Sequence, residues 1–179
     1  MIPNILVALM LIVVVFIFIV TFQPNDFRIV RSATMSALPV AIFTQVNDFR
    51  KWEAWSPWAK LDPQVKNTYA GPAAGVGAAF AWSGNNKVGE GRMTITESSP
   101  YELVRIKLEF LRPFKATNTA EFTFKSEGNR TTVTWSMFGK NNFMGKAMGL
   151  IMNFDKTAGR DFEKGLAKLK SVAETAGWK

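Results

Sequence analysis

The C-terminal part of the sequence, residues 142–177, limits the possible folds more than any other stretch. Apolar side chains recur there three and four positions apart, and basic side chains occupy the opposite side. This spacing predicts an amphipathic helix with one apolar stripe. The stripe consists of Met144, Met148, Ile151, Phe154, Ala158, Phe162, Leu166, Leu169 and Ala173. Such a helix needs a large apolar surface to pack on, so the rest of the chain must supply one.

The ends of this helical stretch are also marked in the sequence. Asn141 and Asn142 provide an N-cap, and Gly177 provides a stop. One uninterrupted helix over the stretch would be about 50 Å long. We therefore expect a break near Asn153, with a short helix before it and a long helix after it.

The middle of the chain predicts an antiparallel sheet. Strands with alternating apolar and polar side chains are expected at residues 27–35, 66–70, 78–82, 87–97, 103–111, 116–125 and 131–138. Each is apolar on one side only, which is typical of a sheet with one buried face. Pro39 opens a short helix between the first two strands, and Gly89 and Gly91 predict a bend or bulge. The predicted fold is α+β, with a curved antiparallel sheet around the long C-terminal helix.

The N-terminal segment, residues 5–22, is an uncharged apolar run that is long enough to cross the core of a bilayer. No basic residue precedes the run and no small-x-small cleavage site follows it, which favours an uncleaved anchor over a signal peptide. We assign residues 1–23 to a transmembrane anchor and residues 24–179 to one domain. Arg28 and Arg31 follow the run, so the positive-inside rule predicts a single-pass membrane protein with a cytoplasmic domain.

The composition excludes several kinds of chemistry. The chain has no cysteine and no histidine, so Ser-His-Asp and Cys-His catalysis are excluded and a zinc site is disfavoured. We predict no catalytic residues, no metal site and no cofactor. The net charge of +8 is compatible with nucleic acid or with an anionic membrane surface. The basic residues near the C-terminus lack interleaved exposed aromatic residues, so we predict no nucleic-acid partner. The oligomeric state stays open.

Several segments resemble, in the same order, the polyketide cyclase/dehydrase-like branch of the SRPBCC (START-like) superfamily. The clearest are the helix opening Pro39–Phe43 and the run Asp48–Trp58, which reads DFRKWEAWSPW. Further matches are Gly75–Gly77, Val88–Gly91, Pro113–Thr117, Val133–Trp135 and Asp161–Leu166. The resemblance covers Phe27–Glu174. It implies the helix-grip fold, with a deep apolar cavity between the sheet and the long helix. The superfamily includes lipid carriers, hormone receptors, cyclases and hydrolases, so the fold alone does not give an activity.

The inward strand residues and the facing helix residues would line that cavity. The predicted lining is Trp55, Trp58, Phe80, Trp82, Met93, Phe110, Phe122, Trp135, Met137, Met144, Met148 and Phe154. Such a lining selects an apolar small molecule, such as a lipid, an isoprenoid or a polyketide-like compound. The alternative is a filled core, in which the tryptophans pack against the sheet. Asn118 lies on the apolar face of its strand, where its amide binds either a ligand or, as the pattern favours, a nearby backbone group.

Two other functions are open at this point. A cyclase or dehydratase acting on the same kind of ligand would need an acid or base inside the cavity, for which Glu97, Asp155 and Arg160 are the charged candidates. An interaction module would use its surface, and large exposed apolar patches would favour it. Outward-facing charges are predicted to form cross-strand ion pairs; they are Glu90, Arg92, Arg105, Lys107 and Glu109.

Overall fold

The computed structural model describes residues 2–176 and contains a sheet, a long C-terminal helix and an apolar N-terminal helix. A short 3₁₀ helix covers Phe49–Ala54. The other elements are α1 (Ile2–Thr21), β1 (Asp26–Met35), α2 (Pro39–Val46), β2 (Lys66–Ala70), β3 (Ala79–Ser83), β4 (Glu90–Ser99), β5 (Leu103–Arg112), β6 (Ala116–Glu127), β7 (Arg130–Lys140), α3 (Phe143–Ile151) and α4 (Phe154–Ala176). The predicted strands are confirmed to within a few residues.

The sheet has seven antiparallel strands in the order β1-β7-β6-β5-β4-β3-β2. Strands β2 to β7 form a meander, and β1 pairs with β7 at the other edge. Asp26 pairs with Lys140, so the start of β1 and the end of β7 lie at the end of the sheet to which α1 leads. We call this end the α1 end, and it also carries the β5–β6 and β3–β4 turns. Met35 marks the far end.

Helix α4 packs on the sheet as the apolar stripe predicts. Phe162, Leu166, Leu169 and Ala173 are buried, and α4 lies mainly against β1. This arrangement confirms the α+β helix-grip fold. The predicted break is also confirmed, because Asn153 Oδ1 accepts a hydrogen bond from the Lys156 amide at 2.9 Å and so caps the start of α4.

The boundary of α3 agrees with its predicted cap. Asn142 Oδ1 accepts a hydrogen bond from the Gly145 amide at 2.8 Å. Gly177, the predicted stop for α4, lies outside the described residues.

The expectation that the apolar stripe packs on an apolar surface is wrong for the first part of the helical stretch. Met144, Ile151 and Phe154 are exposed, whereas the stripe is buried from Phe162 onward. The physical reason is that α3 packs against α1 at the α1 end. Helix periodicity identifies an apolar face but does not identify its partner.

An ion-pair cluster fastens α4 to β1. Arg31 Nε lies 2.7 Å from a Glu163 oxygen, and Arg31 Nη1 lies 3.1 Å from an Asp155 oxygen. The hydrogen bond from Arg31 lowers the pKa of Asp155 below its ordinary value. A Cβ at Gly159 would overlap the Arg31 guanidinium, so the absence of a side chain there lets Arg31 cross the helix. The cluster holds the start of α4 in place against the edge strand.

Candidate functional site

Beneath α4, the space between helix and sheet is filled by aromatic rings. Trp135 on β7 is stacked between Phe162 of α4, with ring centroids 4.1 Å apart, and Phe122 of β6, at 4.8 Å. Trp55 is fully buried beside them, and its Nε1 donates a hydrogen bond to the Gln45 carbonyl. Trp58 stands edge-on to Trp135. These rings form a packed unit, which we call the aromatic core.

Toward the α1 end, the same face of the sheet is apolar but incompletely covered. Phe80 and Trp82 of β3, Phe110 of β5 and Met137 of β7 are half-buried. The Trp82 and Phe110 rings meet edge-to-face with centroids 6.1 Å apart. Trp82 pairs with Gly91, where any Cβ would overlap the indole ring, so the glycine lets the ring lie across β4. We call this surface the open floor.

The bulge predicted at the glycine pair of β4 is confirmed. The register shifts between Glu90 and Gly91, and Gly89 has a φ of +66°, a left-handed conformation that glycine adopts at no steric cost. The bulge sits at the start of β4, beside Trp82, and therefore shapes the α1 end of the open floor.

A polar side chain lies within the open floor. Asn118 on β6 is 8% exposed and pairs with Leu108 on one side and Gly139 on the other. A Cβ at Gly139 would overlap the Asn118 side-chain oxygen, so this glycine makes room for the amide. Among the described residues, no side-chain hydrogen bond to Asn118 is formed, and the backbone partner that the sequence favoured is not found. The amide therefore retains unused hydrogen-bonding capacity in an apolar setting.

The predicted lining residues fall into three groups. Trp55, Met93, Phe122 and Trp135 are buried in the core, and Phe80, Trp82, Phe110 and Met137 belong to the open floor. The remaining residues are exposed or half-buried and lie outside the sheet; they are Trp58, Met144, Met148 and Phe154. The structure thus brings the first group together in a packed interior and the second group along a more accessible surface. A ligand-lining role for each residue stays a prediction.

Two depressions on the molecular surface lie away from the open floor. One, of about 550 Å³, lies along the C-terminal part of α4 and is lined partly by Lys170 and Glu174. The other, of about 440 Å³, follows the junction of α3 and α4 from Gly149 to Phe154. Of the predicted lining residues, Phe154 alone contributes to either of these two depressions.

The charged candidates for acid or base chemistry lie on the surface. Alternation along β4 would place Glu97 on the inner face with Met93 and Ile95, but a second register shift follows Ile95 and pairs Glu97 with Arg105 on the outer face. There Arg105 also binds Glu121, and hydrogen bonding to Glu121 raises the pKa of Arg105.

The other two candidates are likewise outside the open floor. Asp155 is held by Arg31, and Arg160 is exposed on α4. Outward cross-strand ion pairs are confirmed for Arg105 with Glu97 and for Arg112 with Glu90. Lys107 instead pairs with Glu109 along the same strand. The sequence analysis did not include Glu121 among the ion-pairing residues. Its position on the outward face of β6 could have identified it.

A titratable group does adjoin the open floor. Tyr69 of β2 packs on Phe80 with ring centroids 5.2 Å apart. Burial raises the pKa of Tyr69, and the nearby Glu53 carboxylate raises it further, while Arg50 opposes the change. Sequence reasoning missed this residue because β2 is short and its alternation is weak.

One helix of the described chain is long and apolar enough to cross a membrane, with a candidate span at Asn4–Thr21. Almost all of its described side chains are exposed, and Val20 near its end is the buried exception. Lys146 of α3 donates a hydrogen bond from Nζ to the Thr21 carbonyl at 3.1 Å. This contact satisfies a carbonyl at the C-terminal end of α1 and places a positive charge at the negative end of the helix dipole.

Comparisons with known proteins agree with this architecture. A family model described as "Polyketide cyclase / dehydrase and lipid transport" matches residues 26–174. Protein CV1439 from Chromobacterium violaceum is 15% identical, with a TM-score of 0.59, and the match covers 85% of this chain and 99% of that one. The Aha1 dimer from Colwellia psychrerythraea is 16% identical, with a TM-score of 0.58 and coverages of 83% and 96%.

A further similar structure is the di-domain ARO/CYC StfQ from the steffimycin biosynthetic pathway. It is 10% identical, with a TM-score of 0.62, and the match covers 87% of this chain and 53% of that one. No curated protein matches the sequence. At these identities, the likeness to solved structures shows the fold.

Proposed function

The chain belongs to the polyketide cyclase/dehydrase and lipid-transport family, and we propose that it is a membrane-anchored domain that binds an apolar small molecule on the open floor. The observation that carries the proposal is the contrast in coverage along one face of the sheet. Phe80, Trp82 and Phe110 are large apolar side chains that stay partly exposed beside a buried aromatic core. A bound apolar molecule would remove this surface from water, which is favourable by about 25 cal/mol per Å².

The ligand proposed here is a lipid, an isoprenoid or a polyketide-like molecule with a polar group near one end. The aromatic rings and Met137 offer apolar contact, and methionine adapts to irregular shapes. Asn118 offers a donor and an acceptor within this surface. A ligand carbonyl or hydroxyl that meets the amide would fix the orientation of the molecule, as a single well-placed polar group does in most apolar sites.

The membrane anchor supports the same function. Apolar ligands are concentrated in the bilayer, and α1 would keep the domain beside that source. The linker Phe22–Asn25 is short, with a reach of at most about 14 Å. The open floor lies toward the α1 end, so a ligand leaving the bilayer would meet it on the near side of the domain.

Native mass spectrometry of the full chain extracted in detergent tests the proposal. We expect a discrete adduct of one apolar molecule per chain, identified by fragmentation. Phe110→Asp should abolish the adduct, because a carboxylate on the open floor must lose water when an apolar molecule covers it. Asn118→Leu should retain binding of a hydrocarbon but weaken binding of ligands that carry a carbonyl or hydroxyl group.

The matched control is Leu38→Asp, which places the same charge on an exposed apolar residue at the far end of the sheet. It should leave the adduct unchanged. The proposal is wrong if the wild-type chain carries no adduct and takes up no fatty acid, retinoid or polyketide probe. It is equally wrong if the Phe110→Asp and Leu38→Asp variants carry the same amount of the adduct.

A further inference from the structure

We infer that the domain has a second contact with the bilayer, beyond α1, through an apolar rim at the α1 end. The rim comprises exposed residues of α3, of the end of β5 and of the β5–β6 turn; they are Leu111, Phe114, Phe143, Leu150 and Ile151. The occupant of this surface is the lipid bilayer. The inference rests on the membrane anchor proposed above and adds an orientation, in which the domain lies against the membrane instead of moving freely on its tether.

The position of α3 follows from its contact with α1. Helix α3 packs against α1, where Val20 is buried and the Lys146 ammonium binds the Thr21 carbonyl. Val20 and Thr21 are the last residues of the candidate span. A helix that packs on the last turn of a membrane-spanning segment lies at the level of the lipid headgroups, where the segment leaves the hydrocarbon.

The composition of α3 suits that level. Its sequence, FMGKAMGLI, contains one charged residue, Lys146, and none of its residues is buried by the rest of the domain. Ile151 is 78% exposed, and Phe143 and Leu150 are also exposed. Helices that lie in the interface bury aromatic and aliphatic side chains to the level of the acyl chains while lysine reaches the headgroups.

The β5–β6 turn supplies the second part of the rim. Leu111 and Phe114 are 48% and 52% exposed. Phe110 pairs with Ala116 across the turn, and Asn118 pairs with Gly139 near the end of β7, so the turn lies at the same end of the sheet as the start of α3. Two strand spacings of about 4.8 Å separate β5 from β7.

The short linker after α1 and the basic residues around the rim support the bilayer as the partner of this surface. The linker Phe22–Asn25 reaches at most about 14 Å, so this end of the sheet stays beside the point where α1 leaves the membrane. Exposed Lys115 and Lys140 flank the apolar side chains. Basic residues beside an apolar surface are attracted to anionic headgroups, each by about 1 kcal/mol near the membrane.

Because the chain has no cysteine, single thiols can be placed at will to test the rim. The rim variants are Phe114→Cys and Ile151→Cys, and Val13→Cys reports on the anchor. The matched controls are Leu38→Cys and Val76→Cys, which are also exposed apolar positions but lie at the far end. Each full-length variant is labelled with an environment-sensitive NBD fluorophore and reconstituted in vesicles of phosphatidylcholine and phosphatidylglycerol that contain doxyl-labelled lipids.

The expected result is a blue shift and loss of emission for the labels at positions 114 and 151, with no such change at positions 38 and 76. Unquenched labels at 114 and 151 with a quenched label at 13 would overturn the rim and leave the anchor intact. An unquenched label at 13 would overturn the anchor and the rim together. Unlabelled Ile151→Cys chains that form disulfide-linked dimers in vesicles under an added oxidant, together with labelled chains that show no lipid quenching, would assign the surface to a second copy and overturn the bilayer as its occupant.

Discussion

The aromatic core and the open floor are two parts of the same sheet face, yet they differ in what covers them. In the aromatic core, Phe162 of α4 stacks on Trp135, and both side chains are buried. On the open floor, Trp82 and Phe110 keep part of their surface in contact with solvent. The difference arises because the helical stretch breaks at Asn153. As a result, α4 packs against β1 whereas α3 packs against α1. A single capping residue therefore separates the stabilising part of the face from the accessible part.

The comparison predicts that truncating a side chain of the aromatic core will destabilise the protein more than truncating a side chain of the open floor. Trp135→Ala should lower the free energy of unfolding by about 3–5 kcal/mol, because it leaves a cavity between two stacked rings. Phe110→Ala should cost only about 1–2 kcal/mol, since its side chain is already partly exposed to solvent. Urea denaturation of the full chain in detergent, followed by circular dichroism, measures both.

Trp135→Phe is the control for the first region. Among the described residues, Trp135 Nε1 is a buried nitrogen without a hydrogen-bond partner. Removal of this unsatisfied group offsets part of the packing loss, so the cost should fall well below that of Trp135→Ala. Equal costs for Trp135→Ala and Phe110→Ala would contradict the division of the face into two regions.

The same glycine-to-alanine change should have opposite signs in the two helices. At Gly165 of α4, a Cβ would lie 2.8 Å from Trp135 Cζ3 and 3.1 Å from Pro57 Cδ. Gly165→Ala should therefore destabilise the protein by about 1–3 kcal/mol through overpacking. At Gly149 of α3, nothing lies within 4 Å of the Cβ position, and Gly149→Ala should stabilise the helix by up to about 1 kcal/mol.

Thermal unfolding of the two glycine variants, measured side by side, tests whether their stability changes have opposite signs. A stabilised Gly165→Ala variant would show that α4 does not press on the aromatic core. A destabilised Gly149→Ala variant would show that α3 packs against something in the protein at that position.

The smallest expected effect concerns the ion pair at the boundary between the regions. The hydrogen bond from Arg31 lowers the pKa of Asp155 in the folded state. The contribution of the pair to stability is therefore fully present above the ordinary aspartate pKa of about 3.9, and it is lost as the pH falls through the lowered value. The free-energy difference between wild type and Asp155→Asn should shrink between neutral pH and acid pH. A constant difference over that range would mean that the pair does not hold α4.

Most of the fold was predictable from the sequence because its signals are local. Alternation identified most strands of the meander, Asn142 marked the start of α3, and Gly89 and Gly91 marked a bulge that the register shift confirms. The family assignment also followed from short segments in order, notably the run Asp48–Trp58.

The candidate site was less predictable because it depends on contacts between distant segments. Glu97 moved to the outer face through a bulge that no glycine announces. Met144 and Ile151 lie on the same apolar stripe as Phe162, yet α3 packs against α1 and not on the sheet. Only the tertiary structure reveals which partner each helix contacts. The stacking of Phe162 on Trp135 likewise depends on where α4 crosses the sheet.

The pairing of β1 with β7 has a consequence for biogenesis. Ser32 and Thr134, whose hydroxyl groups bond across this pair, are separated by 102 positions in the chain. During synthesis, β1 emerges directly after the apolar helix and must wait for its partner, while the later hairpins assemble from neighbouring segments. The ribosome thus synthesises one edge strand of the sheet well before that strand's partner, so the sheet is complete only after β7 has been made.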